Sequence, residues 1–109
     1  MAKGKIIVTN AFEIPGKKIV ENLGVVKGNT VRARNIGRDI AATLKNVVGG
    51  EIKTYTELIS QARDEAYNRM VNEAIKLGAD AVISVRFTTS PIMQGASEML
   101  VYGTAVKLR

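Results

Sequence analysis

The stretch TYTELISQARDEAYNRMVNEAIKLG, residues 54–78, decides the fold because it is the longest segment with helical periodicity. Its apolar residues recur at intervals of three and four, which predicts a helix with one buried face. These residues are Tyr55, Leu58, Ile59, Ala62, Ala66, Tyr67, Met70, Val71 and Ala74. Thr54 followed three residues later by Glu57 predicts a capping box at the start of the helix. Gly78 predicts its end.

The segments around this helix predict a sheet and a second, shorter helix. Apolar residues from Ile36 to Val48 recur with helical spacing and stop at Gly49 and Gly50, which predicts the short helix. The predicted strands cover residues 5–9, 17–27, 30–34, 81–87 and 99–108. Gly28 and Asn29 predict a two-residue hairpin turn between the second and third of these strands. Residues 88–97, which include Pro91, are predicted to form a loop.

These elements predict an α+β fold, in which a mostly antiparallel sheet and two helices form a two-layer sandwich within a single domain, residues 1–109. The last strand is apolar on both sides, although two helices can cover only one face of a sheet. One face would carry Leu100, Tyr102, Val106 and Leu108, and the other Met99, Val101 and Ala105. Each Å² of apolar surface left in water costs about 25 cal/mol. We therefore expect a closed homo-oligomer in which neighbouring copies cover the second face.

The composition excludes several classes of function. The 109 residues contain neither cysteine nor histidine, so disulfides, thiolate chemistry and the usual zinc and copper ligands are absent from the sequence. General acid–base catalysis would need a carboxylate or lysine with a shifted pKa, and no pattern singles one out. We therefore expect neither an enzyme nor a cofactor. Without an apolar run of about 20 residues or a signal sequence, the expected location is the cytoplasm, with no membrane partner.

The positive charge is concentrated in the first half of the chain. The net charge is +6, and residues 1–56 hold ten Lys and Arg against four Asp and Glu, whereas residues 57–109 hold six of each. A basic excess attracts nucleic acid through phosphate contacts, but it also keeps a small domain soluble. No aromatic residues alternate with these lysines, so the linear sequence shows no base-stacking surface. Nucleic-acid binding is therefore kept only as a third functional hypothesis.

The candidate ligand site lies in VRARNIGRDI, residues 31–40. Asn35 is placed to cap the short helix by accepting a hydrogen bond from the backbone N–H of Gly37 or Arg38. Arginines at this helix start could clamp a small anion, which would make a site of Arg32, Arg34, Asn35 and Arg38. Asp39 argues against an anion, because its carboxylate already supplies negative charge there. The preferred interpretation is structural, with caps and Arg–Asp pairs within or between subunits.

A carboxylate metal site is the alternative function. Glu57, Gln61, Asp64 and Glu65 share a face of the long helix and could hold a hard cation, although a solvated polar face explains them better. Glu65 also lies four residues before Arg69, which predicts an ion pair. Elsewhere, Met93 and Met99 could contact a soft ion, but filling gaps in an interface is the preferred role.

The motifs resemble those of the uncharacterised YbjQ family, whose members are sometimes labelled heavy-metal-binding. The resemblance covers nearly the whole chain, in the family's order and spacing. It is carried by PGKKIVENLGVVKG, ARNIGRDI, VVGG, ARDEAYNRMVNEAIKLGADAVISVRF and MLVYGTAVKL. Glu51 and the segment around Pro91 depart from the family pattern.

The resemblance implies a two-layer α/β subunit, similar in outline to the dodecin subunit, that assembles as a homopentamer. It implies no established function. The positions that match family motifs are Asn35, Arg38, Asp39, Gly49, Gly50, Gly78, Ala79 and Asp80.

Overall fold

The computed structural model describes residues 6–32, 51–93 and 96–109, which form one helix and a four-stranded sheet. The elements are β1 (Ile7–Val8), β2 (Ile19–Arg32), α1 (Glu51–Lys76), β3 (Ala81–Met93) and β4 (Ala96–Leu108). The sheet order is β1-β3-β4-β2. Only β1 and β3 pair in parallel among these strands. The predicted α+β class and mostly antiparallel sheet are confirmed, whereas the short helix predicted from Ile36 to Gly50 lies outside the described residues.

The apolar stripe of α1 packs on the sheet as its spacing predicts. Ala62, Ala66, Met70 and Ala74 repeat every four residues and are completely buried. After Lys76 the chain leaves the helix through Gly78, which has a φ of 79°. The backbone N–H of Gly78 donates to Ile75 O at 2.9 Å, and that of Ala79 donates to Ala74 O at 3.1 Å. This pair of bonds is a Schellman motif and confirms the predicted helix end.

The predicted start of the helix is wrong. Glu51 is already helical, so Thr54 lies inside α1 and cannot be the capping residue of a box with Glu57. A Ser or Thr with a Glu three residues later also fits the interior of a helix, because the same spacing brings the two residues onto one face.

The predicted hairpin turn at Gly28 and Asn29 is also wrong. β2 runs without interruption through both residues, and Gly28 pairs with Val101 and Asn29 with Leu100 of β4. Gly28 is required for a different reason. A Cβ atom there would collide with the backbone of Ala66 and Met70 in α1.

Close contact between β2 and α1 repeats two residues further along the strand. The hydroxyl of the buried Thr30 donates to Ala62 O at 3.2 Å. Two strand residues span about 6.8 Å, and four helical residues rise about 6 Å. Gly28 and Thr30 therefore meet successive turns of α1, which aligns the helix with the strand.

β3 and β4 form a long hairpin instead of ending in a loop. The pairing continues from Ala81↔Val106 to Met93↔Ala96, so residues 88–93 and 96–97 of the predicted loop belong to the sheet. Pro91 lies in β3, where it pairs with Ser97. On its other side β3 bonds to β1 and then to Thr9 and Ala11 as far as Val85, and no described strand pairs with the outer edge at Pro91. Proline is tolerated in such an edge position because no ladder N–H is required there.

A β-bulge in β3 breaks the regular alternation of faces expected of a strand over residues 81–87. Ser84 has a φ of 56°, and the register shifts between Ile83 and Arg86. Val85 consequently packs on the helix side together with Val82, whereas regular alternation would place Val85 on the same face as Ile83. Two further register shifts, after Ile19 and Asn22, similarly place Leu23 on the helix side while Val25 is exposed.

The sheet therefore has a helix face and an open face, and the two faces of β4 are those predicted. The core on the helix face includes Val26, Val82, Val101 and Ala105 beneath α1. On the open face a smaller cluster of Ala81, Ile83 and Val106 packs against Ile14, Ile19 and Leu108. The segment before β2 thus covers one end of the open face. Val25 and Tyr102 on the remainder stay 73% and 38% exposed.

Candidate functional site

The described residues contain only part of the predicted anion site. Arg32 is the last residue of β2 and pairs with Ser97, but its side chain lies outside the described part of the chain, as do Arg34, Asn35 and Arg38. The structure therefore leaves this site as a prediction. It does show what lies beside β2 on the N-terminal side of Arg32.

A groove of ≈ 510 Å³ runs between β2 and the C-terminal half of α1. The strand side is formed by Val25, Val26, Lys27, Gly28 and Asn29, and the helix side by Arg69, Asn72, Glu73 and Lys76. Among the described strands, β2 is the last in the sheet order, and its outer edge faces the groove. Backbone N–H and C=O groups along an edge strand are able to bind a polar ligand or another chain.

Arg69 spans the groove from the helix to the strand. Its Nη1 donates to Asn29 O at 2.6 Å, and its Nη2 donates to Glu65 Oε2 at 2.6 Å. The Glu65–Arg69 ion pair predicted from the sequence is therefore confirmed. Both side chains are about half exposed, and ion pairs at such positions contribute only about 0–1 kcal/mol. The pair therefore orients the guanidinium more than it stabilises the fold.

The groove offers cationic and amide donors in a row along α1. Lys76 Nζ lies 3.6 Å from Glu73 Oε2 at an exposed position, about two helical turns after Arg69. Asn72 lies between them and adds an amide group. A guanidinium has five N–H donors, and Arg69 uses two of its nitrogen atoms in the contacts above. This arrangement can bind a carboxylate or phosphate through charge-assisted hydrogen bonds.

The sequence alone did not indicate this groove. Arg69 was predicted only as the partner of Glu65, because Asn29 lies 40 positions earlier in the sequence. The signal available was the polar spacing of Arg69, Asn72 and Lys76 along one side of the helix. This spacing does not predict a groove unless β2 is known to continue through Gly28 and to lie opposite the helix.

The residues of the alternative metal site do not form a site among those described. Gln61, Asp64 and Glu65 are exposed on α1, and the side chain of Glu57 lies outside the described residues. In the described part of the chain, no group of three or more acidic side chains is placed to hold a metal ion. Glu65 is instead paired with Arg69. Met99 is buried in the sheet, and the side chain of Met93 lies outside the described residues.

Asp80, one of the family-motif positions, has a structural contact. Its Oδ2 accepts a hydrogen bond from the backbone N–H of Leu108 at 2.9 Å, and its own N–H donates to Val106 O at 2.9 Å. The carboxylate therefore ties the start of β3 to the end of β4. Across the described ranges, we found no helix with both the length and the apolar character needed to cross a membrane.

Comparisons with known proteins agree with the motifs. A sequence model of the YbjQ family, described as "putative heavy-metal-binding", matches residues 6–109. The chain is 61% identical over 105 residues to a UPF0145 protein of Archaeoglobus fulgidus, which covers 96% of this chain and 97% of that protein. It is 60% identical over 102 residues to a UPF0145 protein of Halorubrum lacusprofundi, with 94% and 98% covered.

The fold is similar to that of a solved structure. This is a protein of unknown function of the DUF74 family from Pediococcus pentosaceus, with a TM-score of 0.63 and 18% identity. The similarity covers 95% of this chain and 98% of that one, and at this identity it supports the fold alone. Together with the match over residues 6–109, these relatives show that the chain belongs to the YbjQ family.

Proposed function

We propose that the protein is a non-catalytic, cytoplasmic homo-oligomer, a pentamer as the family resemblance implies, that binds a small anionic ligand between its subunits. The groove between β2 and α1 carries this proposal, because it combines Arg69, Asn72 and Lys76 with the backbone edge of β2. Its volume of ≈ 510 Å³ is within the range of small-molecule sites, about 300–1,000 Å³.

The shape of the subunit supports the oligomer. Its Cα radius of gyration is 17.3 Å, and its principal extents are 54 × 27 × 23 Å. A compact domain of this length would have a radius of gyration of about 13 Å. Phe87 and Ile92, on the extended β3–β4 hairpin, are 53% and 55% exposed. An elongated subunit with exposed apolar residues is expected to bury them against neighbouring copies.

The position of the groove supports a ligand between subunits. Its strand side is the outer edge of β2, where Asn29 O accepts a hydrogen bond from Arg69. A neighbouring subunit placed against that edge would close the groove from the open side. Arg32 ends the same strand, so the predicted arginines of residues 32–38 follow directly from this edge.

The proposal is tested by titrating the protein with inorganic phosphate and with citrate in a calorimeter. Loss of a charge-assisted hydrogen bond costs about 1.5–3 kcal/mol, so Arg69→Gln should weaken anion binding by at least tenfold. Arg63→Gln is the matched control, because Arg63 is exposed on the same helix and does not line the groove. Equal affinities in wild type and Arg69→Gln, or no binding of either anion, would contradict the groove as the ligand site.

A further inference from the structure

The end of the subunit beyond the C-terminus of α1 gathers basic side chains from distant parts of the sequence. Lys17 and Lys18 directly precede β2, and Lys107 and Arg109 lie where β4 ends. Lys18 and Arg109 are directly paired, because the backbone N–H of each donates to the carbonyl oxygen of the other, at 3.2 and 2.9 Å. Lys107 is two strand residues, or about 6.8 Å, from Arg109. We call Lys17, Lys18, Lys107 and Arg109 the basic end.

Lys107 lies on the helix face of the sheet. Val106 and Leu108, on either side of it, belong to the cluster on the open face, and successive strand residues alternate between the two faces. A Cβ atom at Gly78 would lie 3.5 Å from Lys107 Nζ, so the lysine side chain reaches the turn that ends α1. The basic end therefore begins where the helix stops.

Lys18 and Arg109 lie on the same face as Lys107. Ile19 and Leu108, the residues next to them, are paired with each other and belong to the cluster on the open face. By the same alternation, Lys18 and Arg109 point to the helix side. None of the residues of the basic end lines the groove between β2 and α1.

The cationic groups of the basic end are available to a ligand. Lys17, Lys18 and Arg109 are exposed, and Lys107 is half-buried. Glu21 of β2 lies opposite Lys107, but across the described ranges no ion pair involves either residue or the other three cations. The surfaces that the proposed oligomer covers also leave this end free, because the open face is on the other side of the sheet and the apolar hairpin is at the other end of β4.

The described aromatic side chains lie away from the basic end. The Phe12 ring contacts the guanidinium of Arg86, which pairs with Tyr102 on the open face. Tyr67 and Phe87 stack on each other, with ring centroids 6.4 Å apart. Proteins bind single-stranded nucleic acid by stacking its bases on aromatic rings, whereas a duplex is held mainly through its phosphates. A surface of cations without aromatic rings therefore favours a duplex.

We propose that the basic end binds the phosphate backbone of double-stranded nucleic acid without reading its sequence. Lysine and arginine contacts to phosphates supply affinity and position a protein on the duplex, but they do not distinguish bases. The charge of the first half of the chain suggested nucleic acid only as a third hypothesis. The fold now joins Lys17 and Lys18 of that half to Lys107 and Arg109 on one surface. This surface does not depend on the anion groove.

The test measures the fluorescence anisotropy of a short, labelled DNA duplex over a range of salt concentrations. Each phosphate contact contributes about −0.9 to the slope of log K against log salt concentration, so three contacts should give a slope of about −2.7 or steeper. Lys18→Gln and Arg109→Gln should each weaken binding about fivefold to tenfold at about 0.1 M salt and make the slope shallower. Two duplexes of unrelated sequence should bind equally well.

Arg63→Gln is the matched control, because it removes the same charge from an exposed position about 20 Å from the C-terminal end of α1. It should change duplex affinity less than twofold. Arg69→Gln should also leave duplex binding unchanged, so failure at the groove and failure at the basic end are distinguishable. Chemical-shift mapping of the wild-type protein, with shifts expected at Lys18 and Lys107, makes the test independent of how the variants fold.

Several results would overturn the proposal. They are no duplex binding at low salt, equal weakening by Arg63→Gln and Lys18→Gln, and tighter binding of a single strand than of the duplex. Binding to vesicles that contain phosphatidylglycerol, without binding to the duplex, would assign the basic end to a membrane surface and would also contradict the proposal.

Discussion

At the scale of single residues, Gly28 shows why a Gly-Asn pair predicted a hairpin turn where the chain forms a continuous strand. A Gly-Asn pair between apolar segments is a strong hairpin signal, because glycine tolerates the backbone of a tight turn. In the folded chain Gly28 is buried within a continuous strand, and its missing side chain makes room for the backbone of Ala66 and Met70. Glycine suits both a tight turn and a close contact with a helix backbone, and only the position of α1 distinguishes the two cases. By contrast, Gly78 was predictable because its left-handed conformation is a local property of a helix end.

Gly28→Ala should therefore destabilise the protein by about 3 kcal/mol, at the upper end of the usual cost of overpacking. The added methyl group would meet helix backbone, which cannot rotate away as a side chain can. The free energy of unfolding is measured by urea denaturation. Lys27→Ala, at the exposed neighbouring position, is the control and should change stability by less than about 0.5 kcal/mol. If the Gly28 variant were as stable as this control, α1 would not pack on β2 as described.

At the scale of secondary-structure elements, periodicity predicted the long helix and both faces of β4, whereas the strands with bulges were less predictable. α1 repeats its stripe without interruption, so Ala62 to Ala74 were recognisable from spacing alone. β3 changes face at Ser84, because two residues there oppose Gly103 and the alternation is reset. Its outer half begins with three polar residues, Thr88 to Ser90, followed by Pro91, a composition that resembles a loop. That half is held in the sheet by pairing with β4, and a prediction from local sequence does not include pairing between strands.

The bulge predicts opposite effects for two substitutions at Ser84. A left-handed backbone costs an L-residue roughly 1–2 kcal/mol, and a β-branched side chain worsens the clash. Ser84→Val should therefore lower the free energy of unfolding by about 2 kcal/mol, while Ser84→Gly should be at least as stable as wild type. Thermal or urea unfolding measures both. Ser90→Val, at an exposed position elsewhere in β3, is the control for added β-branching. Equal losses at Ser84 for valine and glycine would show that the bulge conformation is not required.

At the scale of the whole molecule, the central expectation is that one subunit cannot cover its own sheet. The structure supports this expectation only in part, because the subunit covers some of the open face itself. The segment around Ile14 covers one end of the open face, which the sequence did not indicate. Val25, Phe87 and Ile92 remain exposed, and the elongated shape extends the β3–β4 hairpin away from the core. Of the arginine site predicted from the sequence, only the backbone of Arg32 has a described position, at the end of β2, because residues 33–38 lie outside the described part of the chain.

Light scattering coupled to size-exclusion chromatography tests this expectation most directly, because it measures mass independently of shape. The protein at micromolar concentration should elute with a mass several times the 11.8 kDa of one chain, with five copies as the proposed number. A stable, folded species with the mass of a single chain would contradict the account.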